Sequence, residues 1–264
     1  MDLELAGKVA IVTGGSRGIG KAIARELADE GVDVAIVARD VATLEATAAE
    51  LGTASGARIL PVQADTSHDD AVRNMVRRVM DTFGRVDILV AAAATPALGP
   101  VPKLAEITDA IFWDDVNVKV MGYLRCAREV APHMMRQGWG RIINISGLAA
   151  RQTGSTIGSI RNVSVVALTK NLADELGRHG INVTVVHPGA TRTEKTPGVV
   201  AARAERLGVS VEEAEKRMTT NLVGQLIDAR EIAYIVTFLA SPKARAINGD
   251  VIAAGGGVSG VIVY

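Results

Sequence analysis

The sequence predicts an α/β protein built on a doubly wound sheet of seven mostly parallel strands, with helices on both faces. Three observations carry this prediction. Short β-branched runs alternate with longer helical patterns along almost the whole chain. Most of these runs are apolar without a break, which is typical of strands covered on both faces of a parallel sheet. A glycine-rich turn follows the first run directly and opens the first helical pattern, as in nucleotide-binding βαβ units.

The strand and helix candidates follow one another in regular order. The strand candidates are the apolar runs at residues 9–13, 33–38, 58–63, 86–91, 141–146, 182–187 and 250–253. Amphipathic helix candidates lie between them at residues 21–30, 44–51, 69–83 and 163–176. Thr66 and Ser67 are the predicted capping residues of the third helix, and Gly84 is its predicted stop. In such a Rossmann-like sheet, ligands bind outside the carboxyl ends of the strands, where the strand order reverses.

Length, charge and cysteine content restrict the class of protein. At 264 residues and 48% hydrophobic content, the chain can bury one large core, so we expect a single domain over residues 1–264. The 29 basic and 29 acidic residues balance, so neither nucleic acid nor a membrane surface is an expected partner. A single cysteine, Cys126, indicates a reducing compartment. Residues 1–4 lack the pattern of a secretion signal, and no apolar run has membrane-spanning length, which predicts a cytoplasmic protein.

Residues 13–20 read Thr-Gly-Gly-Ser-Arg-Gly-Ile-Gly and form the predicted phosphate site. Glycines let the backbone turn sharply and come close to a pyrophosphate. The free N–H groups and the dipole of the following helix favour its negative charge. A glycine-rich turn alone is weak evidence, but here a strand precedes it and a helix follows it.

Two stretches interrupt the strand–helix alternation. Residues 94–103 carry three prolines and a glycine and are predicted to form a loop over the strand ends. Residues 191–225 are rich in charge, contain Pro197 and Gly198, and continue into a helical run at residues 211–218. We predict an insertion that acts as a substrate lid. A solvated helical excursion without a gating role is the alternative.

With these motifs in order, the chain resembles the short-chain dehydrogenase/reductase family over its whole length. The resemblance starts with residues 7–20 and continues with Asp65 and Asn117. It then includes Asn144-Ile145-Ser146, Pro188-Gly189, Asn248-Gly249-Asp250-Val251 and the glycines at 255–257. The resemblance implies a nicotinamide dinucleotide as cofactor and a small molecule as substrate. The implied cofactor-binding residues are Gly14, Ser16, Arg17, Gly18, Ile19, Gly20, Arg39, Asp65, Thr66, Ala92, Asn162, Pro188, Gly189, Thr191 and Thr193.

Charge at the end of the second strand predicts NADP(H) rather than NAD(H). NAD-preferring sites usually carry an acidic residue there, which accepts hydrogen bonds from the ribose hydroxyls. This chain has Ala38, followed by Arg39, and a second cation, Arg17, in the glycine turn. Two guanidinium groups suit a ribose phosphate. Asp40 lies one residue after the position where the acidic residue of NAD-preferring sites is usual, and we expect it to start the next helix. For each arginine, the alternative is a solvent-exposed side chain with no role in binding.

The catalytic pair of the family is missing. In the family, a tyrosine hydroxyl protonates the carbonyl oxygen, and a lysine four residues later lowers the pKa of that tyrosine. Here these positions fall on Gly158 and Asn162. No tyrosine occurs between Tyr123 and Tyr234, so a shift of alignment restores nothing. Loss of a positioned general acid costs roughly 10² to 10⁴ in rate.

The rest of the catalytic set is only partly present. By the resemblance, Asn117 survives, and the functional serine falls on Gly147 or, after a shift of one residue, on Ser146. We therefore predict Asn117 and Ser146 as catalytic residues. Ala91 to Ala94 replace an Asn-Asn-Ala-Gly motif that braces the sheet in the family, although the Ala92 backbone remains able to line the pocket.

Other polar side chains of the sequence are weaker candidates for the proton donor. Ser155, Thr156 and Ser159 are poor acids without a base, and Arg151 or Arg161 would act only electrostatically. Arg161 is expected to point about 100° away from Asn162 around the helix. His187 has a suitable pKa range, but packing at the end of a buried strand is the favoured interpretation. Tyr264 at the chain end is a remote candidate, and no set of residues has metal-ligand spacing, so no metal is predicted.

Three functional hypotheses stay open on the sequence. The first is a divergent NADP(H)-dependent oxidoreductase that acts on a carbonyl or a secondary alcohol. The second is an NADP(H)-binding protein without redox activity, either a sensor or a partner subunit. The third is a non-redox lyase or hydrolase that uses the same pocket. The apolar stretches at residues 163–176 and 258–263 predict a homo-dimer or homo-tetramer.

Overall fold

The computed structural model describes residues 1–94 and 101–258. Residues 95–100 of the predicted loop, residues 259–263 of the apolar tail and Tyr264 lie outside the described residues. Within the described part, the main sheet and its helices follow the predicted alternation closely.

Nine strands occur in the described part of the chain. They are β1 Val9–Thr13, β2 Asp33–Ala38, β3 Ile59–Gln63, β4 Ile88–Ala91, β5 Gly140–Ile145, β6 Ile181–Pro188, β7 Thr191–Arg192, β8 Ile227–Asp228 and β9 Val251–Ala254. The helices are α1 Gly18–Asp29, α2 Val41–Ser55, α3 Asp69–Phe83, α4 Asp109–Val116, α5 Gly122–Gln137, α6 Thr156–Leu176, α7 Thr196–Leu207, α8 Val211–Lys216 and α9 Ala229–Ala240. A π-helical turn, Asn117–Met121, joins α4 to α5 without a break.

Seven of these strands form one parallel sheet in the order β3-β2-β1-β4-β5-β6-β9. The chain runs outward from β1 to β3, then returns to the other side of β1 with β4. The strand order therefore reverses between β1 and β4, which places the ligand crevice at their carboxyl ends. The predicted fold class is confirmed.

Alternation along the buried strands builds a core on each face of the sheet. In β1, Ala10 and Val12 pack into the cluster that α1, α2 and α9 cover, whereas Val9 and Ile11 pack into the cluster beneath α3 and α5. Because both faces are apolar, β1 reads as a continuous hydrophobic run. The helices hold the sheet from both sides, and the strand ends are fixed for the site above them.

Helix α6 begins at Thr156, seven residues before the predicted start. Ser155 is its N-cap, and its hydroxyl accepts a hydrogen bond from the N–H of Gly158 at 3.1 Å. The prediction relied on apolar periodicity, which the polar and glycine residues of the first two turns do not carry. This extension places positions 158 and 162 on a helix, one turn apart.

The predicted capping of α3 is wrong at one end and confirmed at the other. The N-cap residue is His68, with no side-chain hydrogen bond to the helix. The Ser67 hydroxyl instead donates to the Asp65 carboxylate at 2.7 Å. Gly84 ends the helix in the left-handed conformation with φ 75°, as expected of a glycine stop.

The charged insertion after β6 folds into a small unit of its own. Strand β7 pairs in parallel with β8, and α7 and α8 pack around Val200, Ala204 and Ala214. The sequence predicted helix only at 211–218 and missed α7. Pro197 lies in the first turn of α7, where proline is tolerated because its missing N–H has no helical partner.

Candidate functional site

A cavity of about 790 Å³ opens where the strand order reverses. It extends from the glycine turn and the end of β2 to the ends of β5 and β6. Fourteen of the fifteen predicted cofactor-binding residues line it. They are Gly14, Ser16, Arg17, Gly18, Ile19, Gly20, Arg39, Asp65, Thr66, Ala92, Pro188, Gly189, Thr191 and Thr193. The fifteenth, Asn162, is buried in α6 and is not part of this lining. That these residues bind a cofactor stays a prediction.

The glycine turn is packed so tightly that an added Cβ atom would come too close to a backbone oxygen at three positions, one of them Gly15, at 2.8 Å from the Val12 carbonyl oxygen. At Gly14, with φ +68°, a Cβ atom would lie 2.9 Å from the Ala92 carbonyl oxygen. At Gly20, a Cβ atom would lie 2.2 Å from the Gly14 carbonyl oxygen. These backbone contacts hold the turn against the end of β4.

The N-terminus of α1 already holds an anion. The backbone N–H of Gly18 donates to both carboxylate oxygens of Glu194, at 3.0 and 3.1 Å. Glu194 lies in the insertion, 176 residues along the chain, and lines the same cavity. A carboxylate at this helix terminus stands where a phosphate group would be favoured for the same electrostatic reason. The site therefore fits a pyrophosphate, which would displace Glu194.

Two arginines flank the end of β2. Arg17 Nη2 donates to the Thr43 hydroxyl at 2.6 Å and lies 3.6 Å from the Asp40 carboxylate. Arg39 Nη1 lies 3.9 Å from the Asp65 carboxylate. Their side chains are 50% and 63% exposed, so both are free to turn toward a ligand.

Asp40 is engaged by the helix that it begins. It is the N-cap of α2 and accepts a hydrogen bond from the Thr43 N–H at 2.8 Å. Hydrogen bonds from Thr43 lower the pKa of Asp40 below its usual range, and the charge of Arg17 adds to this. The expectation that Asp40 starts the next helix is confirmed.

Asp65 is held ionised beside the cavity. Its Oδ1 accepts hydrogen bonds from the Ser67 N–H at 2.9 Å and from the Ser67 hydroxyl. Burial works to raise the pKa of Asp65, but these two bonds, together with the charges of Arg39 and His68, bring the pKa below its usual range. Its carboxylate is thus a fixed hydrogen-bond acceptor at the end of β3.

Thr13 supplies the brace between β1 and β4 that the substituted alanines cannot. Its hydroxyl accepts hydrogen bonds from the N–H groups of Ala92 and Ala93, at 3.1 and 3.2 Å. The backbone after β4 therefore stays in place although residues 91–94 carry no polar side chain.

The two positions of the missing catalytic pair, 158 and 162, both lie on α6 and have tightly packed surroundings. Gly158 lies in its first turn, and a Cβ atom there would be 2.7 Å from the Ser155 hydroxyl. Asn162 is 3% exposed, and its Oδ1 has no hydrogen-bond partner among the described residues. Its backbone carbonyl accepts a hydrogen bond from the Ser146 hydroxyl at 3.1 Å. Ser146 lines the cavity, and its catalytic role stays a prediction.

The side chain of Asn117 is occupied by structural contacts. Its amide donates to the Ser67 carbonyl at 3.4 Å, and its carbonyl accepts from Arg125 at 2.8 Å. Residues 118 and 119 of the same turn line the cavity, whereas Asn117 is not part of that lining. Its predicted catalytic role is not tested by these contacts.

Lys119 is a cavity residue that the sequence analysis missed. It is 5% exposed, and its ammonium donates to the Ser146 carbonyl at 2.9 Å. Burial lowers the pKa of Lys119 to about 7, and the nearby charge of Arg161 adds to the shift, whereas Asp115 opposes it. The π-turn at Asn117–Met121 changes the helical register, so 3.6-residue periodicity gave no signal. The position of this lysine between two valines, Val118 and Val120, is the one sequence feature that could have indicated its burial.

Arg161 also reaches the cavity, contrary to expectation. Its Nη1 donates to both carboxylate oxygens of Asp115, at 2.5 and 2.7 Å. The prediction considered only its angle from Asn162 around the helix. Position 161 lies three residues after Gly158 and shares its face, and Gly158 has no side chain to block the long arginine. Arg161 therefore lines the cavity while its guanidinium pairs with Asp115.

His187 and Tyr123 are built into the walls of the site. The Gly147 N–H donates to His187 Nδ1 at 3.3 Å, and burial, with the charges of Arg151 and Lys119, lowers the pKa of His187 to about 4. His187 is thus neutral near pH 7, as packing predicts. The Tyr123 hydroxyl donates to the Ile145 carbonyl at 2.9 Å, and burial raises its pKa far above the usual range. Neither group supplies a proton readily.

Neither a metal-binding cluster nor a membrane-spanning helix occurs in residues 1–94 and 101–258. These residues contain no group of three or more His, Cys, Asp or Glu side chains placed to share a metal ion. Over the same ranges, the helices are too short or too polar to cross a bilayer.

The chain is similar to known reductases in both sequence and structure. The sequence profile of short chain dehydrogenases matches residues 8–204. A short-chain reductase protein, NovJ, of Streptomyces niveus is 37% identical over 94% of this chain and 93% of its own length. A 3-oxoacyl-[acyl-carrier-protein] reductase of Staphylococcus aureus is 34% identical over 95% of this chain and 98% of its own. The crystal structure of L-sorbose reductase from Gluconobacter frateurii with NADPH and L-sorbose superposes with a TM-score of 0.93, covering 99% of this chain and all of that one at 28% identity.

Proposed function

The chain belongs to the short-chain dehydrogenase family, and on that premise we propose that it is an NADP(H)-dependent oxidoreductase acting on a small-molecule carbonyl or secondary alcohol. One observation carries the proposal. The cavity at the strand switch point collects fourteen residues of the expected dinucleotide site, and the N–H of Gly18 at the head of α1 already binds a carboxylate. When bound, the cofactor would supply or accept hydride.

Each part of the cavity has a task in this proposal. The Gly18 N–H and the turn around it hold the pyrophosphate after Glu194 moves away. Asp65 would accept a hydrogen bond from the adenine amino group. Pro188, Gly189 and Ser146 line the other end of the cavity and would hold the nicotinamide there. Binding at both ends brings the reacting carbons together, which supplies a large part of such a rate enhancement.

The preference for NADP(H) rests on charge at the end of β2. Arg17 and Arg39 offer two exposed guanidinium groups, whereas the Asp40 carboxylate caps α2 and pairs with Arg17. The carboxylates of Asp40 and Asp65 each lie beside one of these arginines, so their negative charge at the strand end is offset by the cations that would bind a ribose phosphate. Arginine binds phosphate in a bidentate manner, which favours the phosphorylated cofactor.

Calorimetric titration with NADP⁺ and NAD⁺ tests the cofactor. We expect NADP⁺ to bind more tightly, and Arg39→Ala to weaken NADP⁺ binding by roughly ten- to a hundredfold while NAD⁺ binding changes little, since a charged hydrogen bond contributes about 1.5–3 kcal/mol. Arg25→Ala is the matched control, because Arg25 pairs with Asp29 on α1, outside the cavity lining. Equal binding of both cofactors would refute the preference, and no heat from either would refute the dinucleotide site.

The substrate class is tested by turnover. One relative acts on 3-oxoacyl thioesters and a structural neighbour was crystallised with L-sorbose. We therefore expect steady NADPH consumption with an acetoacetyl thioester, L-sorbose or a related ketone from a small panel. Product formation without a change in nicotinamide absorbance would instead indicate non-redox chemistry in the same pocket.

A second candidate function is an NADP(H)-binding partner subunit or sensor without redox activity. The specific observation in its favour is the pair of replacements at Gly158 and Asn162, together with the buried hydroxyl of Tyr123. In the part of the chain that the structure describes, no tyrosine hydroxyl lines the cavity. Tight cofactor binding with no turnover on the panel would favour this candidate.

Assembly and location complete the proposal. Ile160 and Val163 on α6, and Trp113 on α4, are exposed apolar side chains, which fits a symmetric dimer or tetramer. Light scattering after gel filtration would test this, and a monomer at micromolar concentration would refute it. The buried, unpaired Cys126 fits a reducing compartment, so we place the protein in the cytoplasm.

A further inference from the structure

A buried amine occupies the catalytic end of the cavity. Lys119 enters from the π-turn between α4 and α5, whereas the family's lysine comes from α6. Its side chain is 5% exposed and lines the cavity together with Ser146 and Arg161. An ammonium in such a place costs desolvation energy, which a purely structural role could avoid with an apolar residue.

The single hydrogen bond of Lys119 leaves donors available. Its ammonium carries three N–H donors, and one is used by the Ser146 carbonyl at 2.9 Å. Within the described residues, that is the one hydrogen bond found for this group. Ser146 directly follows β5 and lines the cavity, so the bond fixes the amine in the wall of the cavity.

Three charged or titratable groups face Lys119 from the elements packed against it. Arg161 approaches from α6, Asp115 from α4, and His187 from the end of β6. Asp115 is already bound to Arg161 through both carboxylate oxygens. Lys119 therefore has no carboxylate of its own, and the positive surroundings favour loss of its proton. A proton donor for neutral pH needs this property.

We propose that Lys119 is the general acid of this divergent site, replacing the absent tyrosine. Its ammonium gives a proton to the substrate carbonyl oxygen, and the neighbouring Arg161 stabilises the negative charge that develops there. The inference rests on the proposed oxidoreductase function and names the group that makes it chemically possible.

The step is balanced in atoms and electrons. In the direction of reduction, the carbonyl carbon gains hydride from a reduced nicotinamide dinucleotide, which is oxidised. The C=O π bond breaks, and its electron pair forms the new O–H bond with the Lys119 proton. The lysine is left as a neutral amine and regains a proton from solvent. In the direction of alcohol oxidation, the neutral amine accepts the hydroxyl proton.

The first experiment measures the pH dependence of turnover. With NADPH and whichever carbonyl of the panel is reduced, we expect kcat/KM to fall as pH rises above about 7, because the ammonium is lost. Lys119→Met should lower kcat by roughly 10² to 10⁴ and remove this pH dependence. Lys119→Arg keeps a charge and a donor for Ser146 but cannot release its proton, so it should be nearly as slow. Lys243→Met, an exposed lysine paired with Glu4, is the control.

The arginine variant separates catalysis from structure. If Lys119 only holds the Ser146 carbonyl, Lys119→Arg should restore most of the activity and leave the pH profile as it was in the original protein. Either result would overturn the proposal. Slow turnover in both variants, with a folded protein and unchanged NADP⁺ affinity, would support it.

Thermal unfolding gives a readout that needs no turnover. The pKa of Lys119 is lowered in the folded protein, so the full cost of burying the charge is present below about pH 7 and declines as pH rises toward the unfolded value of 10.5. Lys119→Met should therefore have a higher Tm than the original protein at pH 7, and the difference should shrink by pH 10. A difference that is independent of pH would overturn the proposal, because the amine would then not titrate near neutrality.

The oxidoreductase function and the role of Lys119 are overturned by different results. Tight NADP⁺ binding with no turnover on any carbonyl would overturn the proposed oxidoreductase function, and the role of Lys119 in it falls as well, even if its titration is as expected. Measurable turnover that Lys119→Met retains would overturn the role of Lys119 and leave the oxidoreductase intact.

Discussion

A single methyl group at position 20 should separate folding from cofactor binding. The Cβ atom of Gly20→Ala would lie 2.2 Å from the Gly14 carbonyl oxygen, so the turn after β1 has to move by about 0.8 Å to reach even the shortest tolerated contact. Overpacking of this kind costs about 1–3 kcal/mol. The better helix propensity of alanine offsets about 1 kcal/mol of this. The net loss of stability should therefore be about 0–2 kcal/mol.

Cofactor binding should suffer more than stability. The displaced turn carries the Gly18 N–H that holds the anion, and a shift near 1 Å in a positioning element can cost about a hundredfold in function. We expect the NADP⁺ affinity of Gly20→Ala to fall by about ten- to a hundredfold, measured by calorimetry. Its Tm without cofactor should fall by at most roughly 6 °C.

A matched substitution in the next helix checks the reasoning. Gly52 lies in α2, and a Cβ atom there would have its nearest neighbours, Ala57 and Ile59, at 3.8 Å, an ordinary contact. Gly52→Ala should raise the stability by about 0.5–1 kcal/mol and leave cofactor affinity unchanged. If Gly20→Ala binds NADP⁺ as tightly as the original protein, the packing of the turn does not control the phosphate site, and the argument is refuted.

Three further predictions follow from contacts in the site. Glu194→Gln removes the charge that competes with the cofactor at the head of α1, so NADP⁺ should bind about two- to fivefold more tightly by calorimetry, and weaker binding would contradict the competition. His187 has its pKa lowered to about 4, so the stability that its neutral form contributes is complete above pH 6.5 and is lost as pH falls toward 4. In chemical denaturation, the free energy of unfolding should fall by roughly 3 kcal/mol more over this pH range than it does for His187→Gln. If the two proteins lose stability in parallel with pH, His187 does not contribute in this way. Gly158→Tyr with Asn162→Lys should raise carbonyl reduction after the Ser155 cap shifts, and no gain would count against the assigned positions.

The main sheet was predictable because its signals are local. Apolar runs such as Val9–Thr13 and Asp33–Ala38 agree with the observed strands residue for residue. The glycine turn was predictable for a similar reason, since strand, turn and helix start adjoin in the chain. Even so, the start of α6 was missed by seven residues, because its first turns depend on a single cap, Ser155, and not on apolar periodicity.

The charged groups of the site were harder to predict. Lys119 was overlooked because a π-turn shifts its register, and Arg161 was judged by its angle from Asn162 alone. Glu194 gave no signal at all, because its partner Gly18 lies 176 residues earlier. Each of these contacts joins elements that are far apart in sequence, and each depends on how the helices pack.

By itself, the sequence determined the family, the order of strands and helices, the glycine-rich turn and the absence of the tyrosine–lysine pair from α6. Those features follow from residue type and spacing along one stretch of chain. Only the tertiary structure decided which charges meet in the cavity. The burial of Lys119 beside Arg161, and the carboxylate of Glu194 at the head of α1, arise because the sheet brings distant strand ends together. Electrostatic energy depends on distance in space and on burial, neither of which is written in the spacing of residues.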